Sequence, residues 1–148
     1  MPRSTTSFLF PDVNVWLALF YQRHIHHRAA KAWFERLDEN ARLCFCRFTQ
    51  LGLLRLLTTE AVMGDDEVLS QAQAWRAYDR LSSDERILFL EEPSTMEATF
   101  RAFSRDTRPA PKDWADSYLM AFAAVAGLRP ATFDKALHAK FGHALYLG

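Results

Sequence analysis

The stretch Ser7-Phe8-Leu9-Phe10-Pro11-Asp12-Val13-Asn14-Val15-Trp16-Leu17-Ala18-Leu19-Phe20 constrains this chain most, because an apolar run breaks at Pro11-Asp12 and then resumes in helical spacing. Proline has no N–H to give to a sheet, so Pro11 suits the last residue of a strand, and Asp12 then stands at that strand's carboxyl end. In a parallel α/β sheet the carboxyl ends of the strands form the edge where ligands bind. Asp12 is therefore a site candidate. A plainer reading has Asp12 or Asn14 capping the helix that follows, and the choice turns on whether other acids reach the same edge.

Beyond that helix, His24-Ile25-His26-His27 leads into a helix over 28–39 with Ala29, Ala32, Trp33 and Leu37 on its apolar stripe. The three histidines lack the His-x3-His spacing of a helical metal site, so this segment reads as a solvated loop. A buried strand over 43–46 and an apolar helix over 48–57 follow, with Gln50 and Arg55 as the polar members of that helix. An amphipathic helix ends at Ser82, N-capped by Asp65 or Asp66, with Val68, Leu69, Ala72, Trp75, Ala77 and Tyr78 inward. Next come a strand over 87–90 and a helix opening on Ser94, whose Glu97 completes a capping-box pattern. A loop over 106–112 precedes an alanine-rich helix from Asp113 to Gly127. A strand over 129–134, a short helix over 137–141 and an edge strand over 144–147 complete the chain. Strands alternating with helices imply right-handed crossovers, hence an α/β fold with a mainly parallel central sheet flanked by helices on both faces.

A chain of 148 residues, 49% hydrophobic and 14% aromatic, is read as one domain with a sizeable core, residues 1–148. No stretch reaches the roughly 18 apolar residues of a membrane span, and the N-terminus lacks a signal peptide's build, which points to the cytoplasm. Formal net charge is zero, so any nucleic-acid binding must come from a local patch or a bound metal. Cys44 and Cys46, two apart on a strand, read as small buried thiols, since a disulfide across that spacing would distort the strand.

Three carboxylates share one placement. Asp12 ends the first strand, Asp116 lies early in the alanine-rich helix, and Asp134 ends the strand after that helix. Asp113, i−3 from Asp116, shares its face and is a possible fourth. Crowded carboxylates repel and are rarely assembled without a cation between them, and hard oxygen donors suit Mg²⁺ or Mn²⁺. Such an ion orients and polarises a phosphate and lowers the pKa of a bound water.

Phe10-Pro11-Asp12-Val13-Asn14, the segment 47–58, Asp113-Trp114-Ala115-Asp116-Ser117-Tyr118-Leu119-Met120-Ala121 and Ala131-Thr132-Phe133-Asp134 resemble, in order and over nearly the whole chain, the motifs of PIN-domain ribonucleases. The likeness is greatest to VapC-type toxins of bacterial toxin–antitoxin pairs. The resemblance implies a Mg²⁺- or Mn²⁺-dependent endoribonuclease neutralised by a cognate antitoxin. It makes Asp12, Asp116 and Asp134 the catalytic metal carboxylates, with Asp113 less certain and with Asn14, Thr49, Gln50 and Thr132 in support. One departure stands out: Gln50 replaces the Glu expected on the helix after the second strand, and an amide supplies neither an anion nor a general base.

Two rival classes remain on sequence grounds. One is a non-catalytic metal- or RNA-binding module of the same fold, weakened by Gln50. The other is a small-molecule phosphatase, which wants an Asp-x-Asp pair where this chain has Asp12-Val13-Asn14. The many aromatic residues also permit a homodimer face.

Overall fold

The structure, a computed structural model, describes residues 7–148. The one-domain reading also covers residues 1–6, which lie outside the described part. Five strands, β1 (Phe8–Pro11), β2 (Arg42–Phe45), β3 (Ile87–Phe89), β4 (Arg129–Thr132) and β5 (Leu145–Tyr146), form one sheet in the order β3-β2-β1-β4-β5. Every pairing is parallel. The expected mainly parallel α/β sheet is thus all parallel. β1 sits at its centre, so the strand that ends in Pro11 is flanked on both sides.

Strand periodicity divides the core between the two faces. Leu9, Leu43 and Phe45 point into one cluster, which also holds Val15, Trp16, Leu53 and Tyr78. Phe10, Cys44 and Cys46 point into the other, against Leu119, Met120 and Phe122. Alternation along β1 and β2 is what two covered faces require of each strand. The first cluster is sealed by Trp16 stacked on Phe45, ring centroids 3.8 Å apart. In the second, both cysteines are free and buried, as the sequence implied, and burial pushes the Cys44 thiol up to about 11.

The helices are α1 (Val13–Phe20), α2 (His27–Glu35), α3 (Arg47–Leu57), α4 (Glu60–Met63), α5 (Gln71–Ser82), α6 (Met96–Phe103), α7 (Trp114–Ala126) and α8 (Lys135–Lys140). Three expectations are corrected. The short α4 was not foreseen. The amphipathic helix starts at Gln71 rather than near Asp65 or Asp66, because Gly64, at φ +80°, turns the chain, and Ser70 with Gln73 forms the capping box. Val68 and Leu69 reach the core from a loop, and Trp75 and Ala72 face outward. The Ser94–Glu97 capping box is absent: Thr95 is the N-cap, without a side-chain bond, and Glu97 pairs with Arg101 at 3.1 Å. α7 ends as foreseen at Gly127, whose φ of +72° suits a residue without a side chain.

Candidate metal centre

Parallel strands bring Pro11 beside Ala131, so the residues leaving β1 and β4 emerge together at the carboxyl edge. Asp12 is the N-cap of α1, its Oδ1 accepting the Val15 N–H at 3.1 Å. The capping role and the site role are therefore not alternatives. Asp12 Oδ2 accepts a hydrogen bond from the hydroxyl of fully buried Thr132, which in turn accepts the Asp134 N–H at 3.0 Å. Asp134 caps α8, with Oδ1 taking the N–H groups of Ala136 and Leu137 at 2.8 and 3.2 Å. Asp116 lies in the first turn of α7.

Asp12, Asp116 and Asp134 line one cleft of about 520 Å³, with Asn14 beside them. Their charges act on one another. Burial holds the Asp12 carboxyl above its ordinary value; the bonds from Thr132 and Val15 oppose the shift, and the charges of Asp116 and Asp134 add to it. Asp116 is likewise raised, first by burial and then by Asp134 and Asp113. Each Asp12 oxygen makes one hydrogen bond and keeps a free lone pair, and Asp134 leaves Oδ2 open.

This donor set is hard oxygen with net negative charge, which fits Mg²⁺ or Mn²⁺ and not a thiolate-bound metal. Among the described residues no three His, Cys, Asp or Glu side chains stand close enough together to hold a metal ion by themselves. The arrangement suits an ion that keeps much of its own water, as Mg²⁺ does.

Other expected site residues lie elsewhere. Asp113 turns to Lys140, 3.5 Å away, and lines a neighbouring depression, not the cleft. Thr49 closes the N-terminus of α3, its hydroxyl bonding the backbone N–H and carbonyl of Cys46 at 3.0 and 3.1 Å. Gln50 is buried on the β2–β3 side, where its Oε1 accepts from Arg47 and its amide meets Tyr78. The Arg47 guanidinium in turn lies 4.6 Å from the centre of the Phe89 ring. Gln50 does not line the cleft. The α3 residue that faces α1 is Gly52, where a Cβ would stand 2.7 Å from Val13 Cγ2. Arg55 lies on the surface beside Leu51 and Trp75, away from the acids.

The histidine segment is the main residue group that the sequence reading missed. His24, Ile25 and His26 line the acidic cleft, and the His26 ring stacks on Phe133 with centroids 4.2 Å apart and planes within 5°. The available signal was length. α1 has eight residues, about 12 Å, so the next few residues can return to the edge where it began.

A five-stranded parallel sheet with three aspartates at its carboxyl edge defines an α/β protein with an acidic cleft whose oxygen donors suit a hard cation. Known proteins that it resembles agree on the fold. The PIN domain family matches residues 9–142, and the chain belongs to that family. It is 44% identical over 131 residues to Ribonuclease VapC41 of Mycobacterium tuberculosis, covering 86% of this chain and 90% of that protein. Among solved structures it is similar to M. tuberculosis VapC20, a sarcin–ricin loop cleaving toxin, at a TM-score of 0.63, 16% identity and coverage of 91% and 95%. A toxin–antitoxin complex from Klebsiella pneumoniae matches at a TM-score of 0.61 and 13% identity, covering 95% of this chain and 98% of that one. No helix among the described residues is long and apolar enough to cross a membrane.

Proposed function

We propose that this chain is a Mg²⁺- or Mn²⁺-dependent endoribonuclease, a single catalytic domain acting in the cytoplasm as the toxin of a toxin–antitoxin pair. The observation that carries the reading is the gathering of Asp12, Asp116 and Asp134 from three separate elements into one cleft, in a chain 44% identical to a named ribonuclease. Those three carboxylates would hold the ion. When bound there, it would polarise a phosphate and make water a better nucleophile at neutral pH.

The protein's own part is preorganisation. Thr132 and the first turn of α1 fix both Asp12 oxygens, and the first turn of α8 fixes Asp134, so little side-chain freedom remains to be lost when substrate arrives. Asn14, at the cleft mouth, offers an amide to a phosphate oxygen or a water. A cognate antitoxin is the proposed partner, and it would silence the enzyme by covering the acidic edge. The proposal includes a homodimer.

The absence of an acid from α3 favours a second reading, a PIN-fold module that holds metal or RNA without turnover. Cleavage of a mixed RNA pool by the purified chain separates the two. Cutting that requires Mg²⁺ or Mn²⁺, stops with chelator and is lost in Asp116→Asn supports the nuclease. Metal binding without cutting supports the binding module.

A further inference from the structure

The cleft has two chemically different parts. Its acids repel RNA phosphates except through a cation, and with zero net charge the chain has no general field to draw a polyanion in. The described residues lining the cleft include no Lys or Arg, so apart from a bound cation the contacts left to make inside it are to the bases. Single-stranded RNA is read in just that way, by stacking on side chains and by hydrogen bonds to base edges.

The 24–26 turn has the means. It is pinned at three points: the His26 N–H donates to His24 Nδ1 at 3.0 Å, the His26 ring lies on Phe133, and His27 Nδ1 is 2.7 Å from the Ala18 carbonyl oxygen. Between these pins Ile25 stands 88% exposed on the cleft. Because His24 Nδ1 is an acceptor, the neutral ring carries its proton on Nε2 and has an N–H to offer. Burial, with His26 and His27 nearby, holds His24 below the ordinary histidine value, which favours the uncharged ring.

We propose that the His24-Ile25-His26 turn is the nucleotide-positioning wall of the cleft. Ile25 packs on the base beside the scissile phosphate, the His24 Nε2–H donates to that base, and His26 acts as a positioning residue through its stack on Phe133. The inference rests on the ribonuclease reading.

The test compares Ile25→Ala and His24→Ala with the parent chain. Ile25 is exposed and His24 half-buried on the turn, and unchanged thermal melting certifies the folds. In an Asp134→Asn background that stalls turnover, a fluorescein-labelled single-stranded RNA of random sequence is titrated in Mg²⁺, and binding by each variant should weaken about five- to tenfold. In the otherwise native enzyme, KM should rise by a similar factor with kcat nearly unchanged, and the cleavage positions in the random pool should broaden. His26→Ala should raise KM in the same way. Native binding, KM and cleavage pattern in Ile25→Ala and His24→Ala overturn the proposal. So does a loss confined to antitoxin binding, which would make the turn a protein contact. If the parent chain neither binds nor cuts the RNA, the ribonuclease reading itself fails, and the inference with it.

Discussion

Thr132 Oγ1 donates to Asp12 Oδ2 across the β1–β4 pairing and in the same position accepts the Asp134 N–H at 3.0 Å, so one buried hydroxyl ties two of the three acids together. Thr132→Val keeps the β-branched shape that β4 needs and removes both bonds. Loss of a bond to a charged group, together with the bond from the part-exposed Asp134 N–H, should cost about 1–3 kcal/mol in urea unfolding. The same bond lowers the Asp12 carboxyl's pKa, so the acid limb of the pH–rate profile should move to higher pH in Thr132→Val. An unmoved limb would mean that Asp12 does not set it.

Asp116 gives a prediction of opposite sign. Its carboxyl is raised in the folded protein, so between its ordinary and raised values the folded state binds more protons than the unfolded state, and stability falls as pH rises through that window. The contribution is fully present below the ordinary carboxylate value of about 3.9 and lost above the folded value. At neutral pH without metal, Asp116→Asn should therefore melt higher than the parent chain, although its first-turn position on α7 offsets part of the gain. The difference should shrink as the pH is lowered toward 4 or below. Added Mg²⁺ should reverse the order, because it stabilises only the chain that binds it. Melting curves at two pH values, with and without Mg²⁺, check all three statements.

What could be read from the sequence was what adjacent residues dictate. Pro11-Asp12 and Thr132-Phe133-Asp134 each mark a strand end by local chemistry alone, and the order of strands and helices then leaves few topologies. Where pairs distant in sequence decide, the reading failed. Asp113 pairs with Lys140 beside the cleft, and Gln50 meets Tyr78, contacts that spacing does not reveal, although the Arg47–Gln50 bond is a local i,i+3 pair on α3. Metal-ligand spacing says nothing of where the histidines lie, whereas His26 is held against the cleft by its stack on Phe133, more than a hundred residues away in the chain. Local capping was misjudged at Ser94 because a matching tetrapeptide need not lie at a helix start, and Thr95 forms the cap.

Gly52 is a close contact between α3 and α1. A Cβ there would lie 2.7 Å from Val13 Cγ2, and Val13 adjoins Asp12. Alanine improves helix propensity by about 1 kcal/mol, but overpacking costs typically about 1–3 kcal/mol, and a β-branched valine has little rotamer freedom with which to yield. Gly52→Ala should therefore be destabilised or near neutral, with activity reduced through displacement of Asp12. Val13→Ala removes the obstructing methyls, so the double variant should recover activity relative to Gly52→Ala alone. A double-mutant cycle with no coupling would show that the contact does not set the site.

The Gln50 question is settled by which way the side chain faces. If Gln50 stood among the acids, Gln50→Glu would restore an anion and tighten metal binding. In the structure the new carboxylate would instead meet the Arg47 guanidinium beside Tyr78, forming a partly buried ion pair whose Coulomb gain is largely offset by desolvation of the carboxylate. The expected result is a Mg²⁺ affinity within about twofold of the parent chain, measured by the Mg²⁺-dependent rise in melting temperature, with little change in cleavage rate. A tenfold tightening, about 1.4 kcal/mol, would place Gln50 at the metal and reassign the α3 contribution to the site.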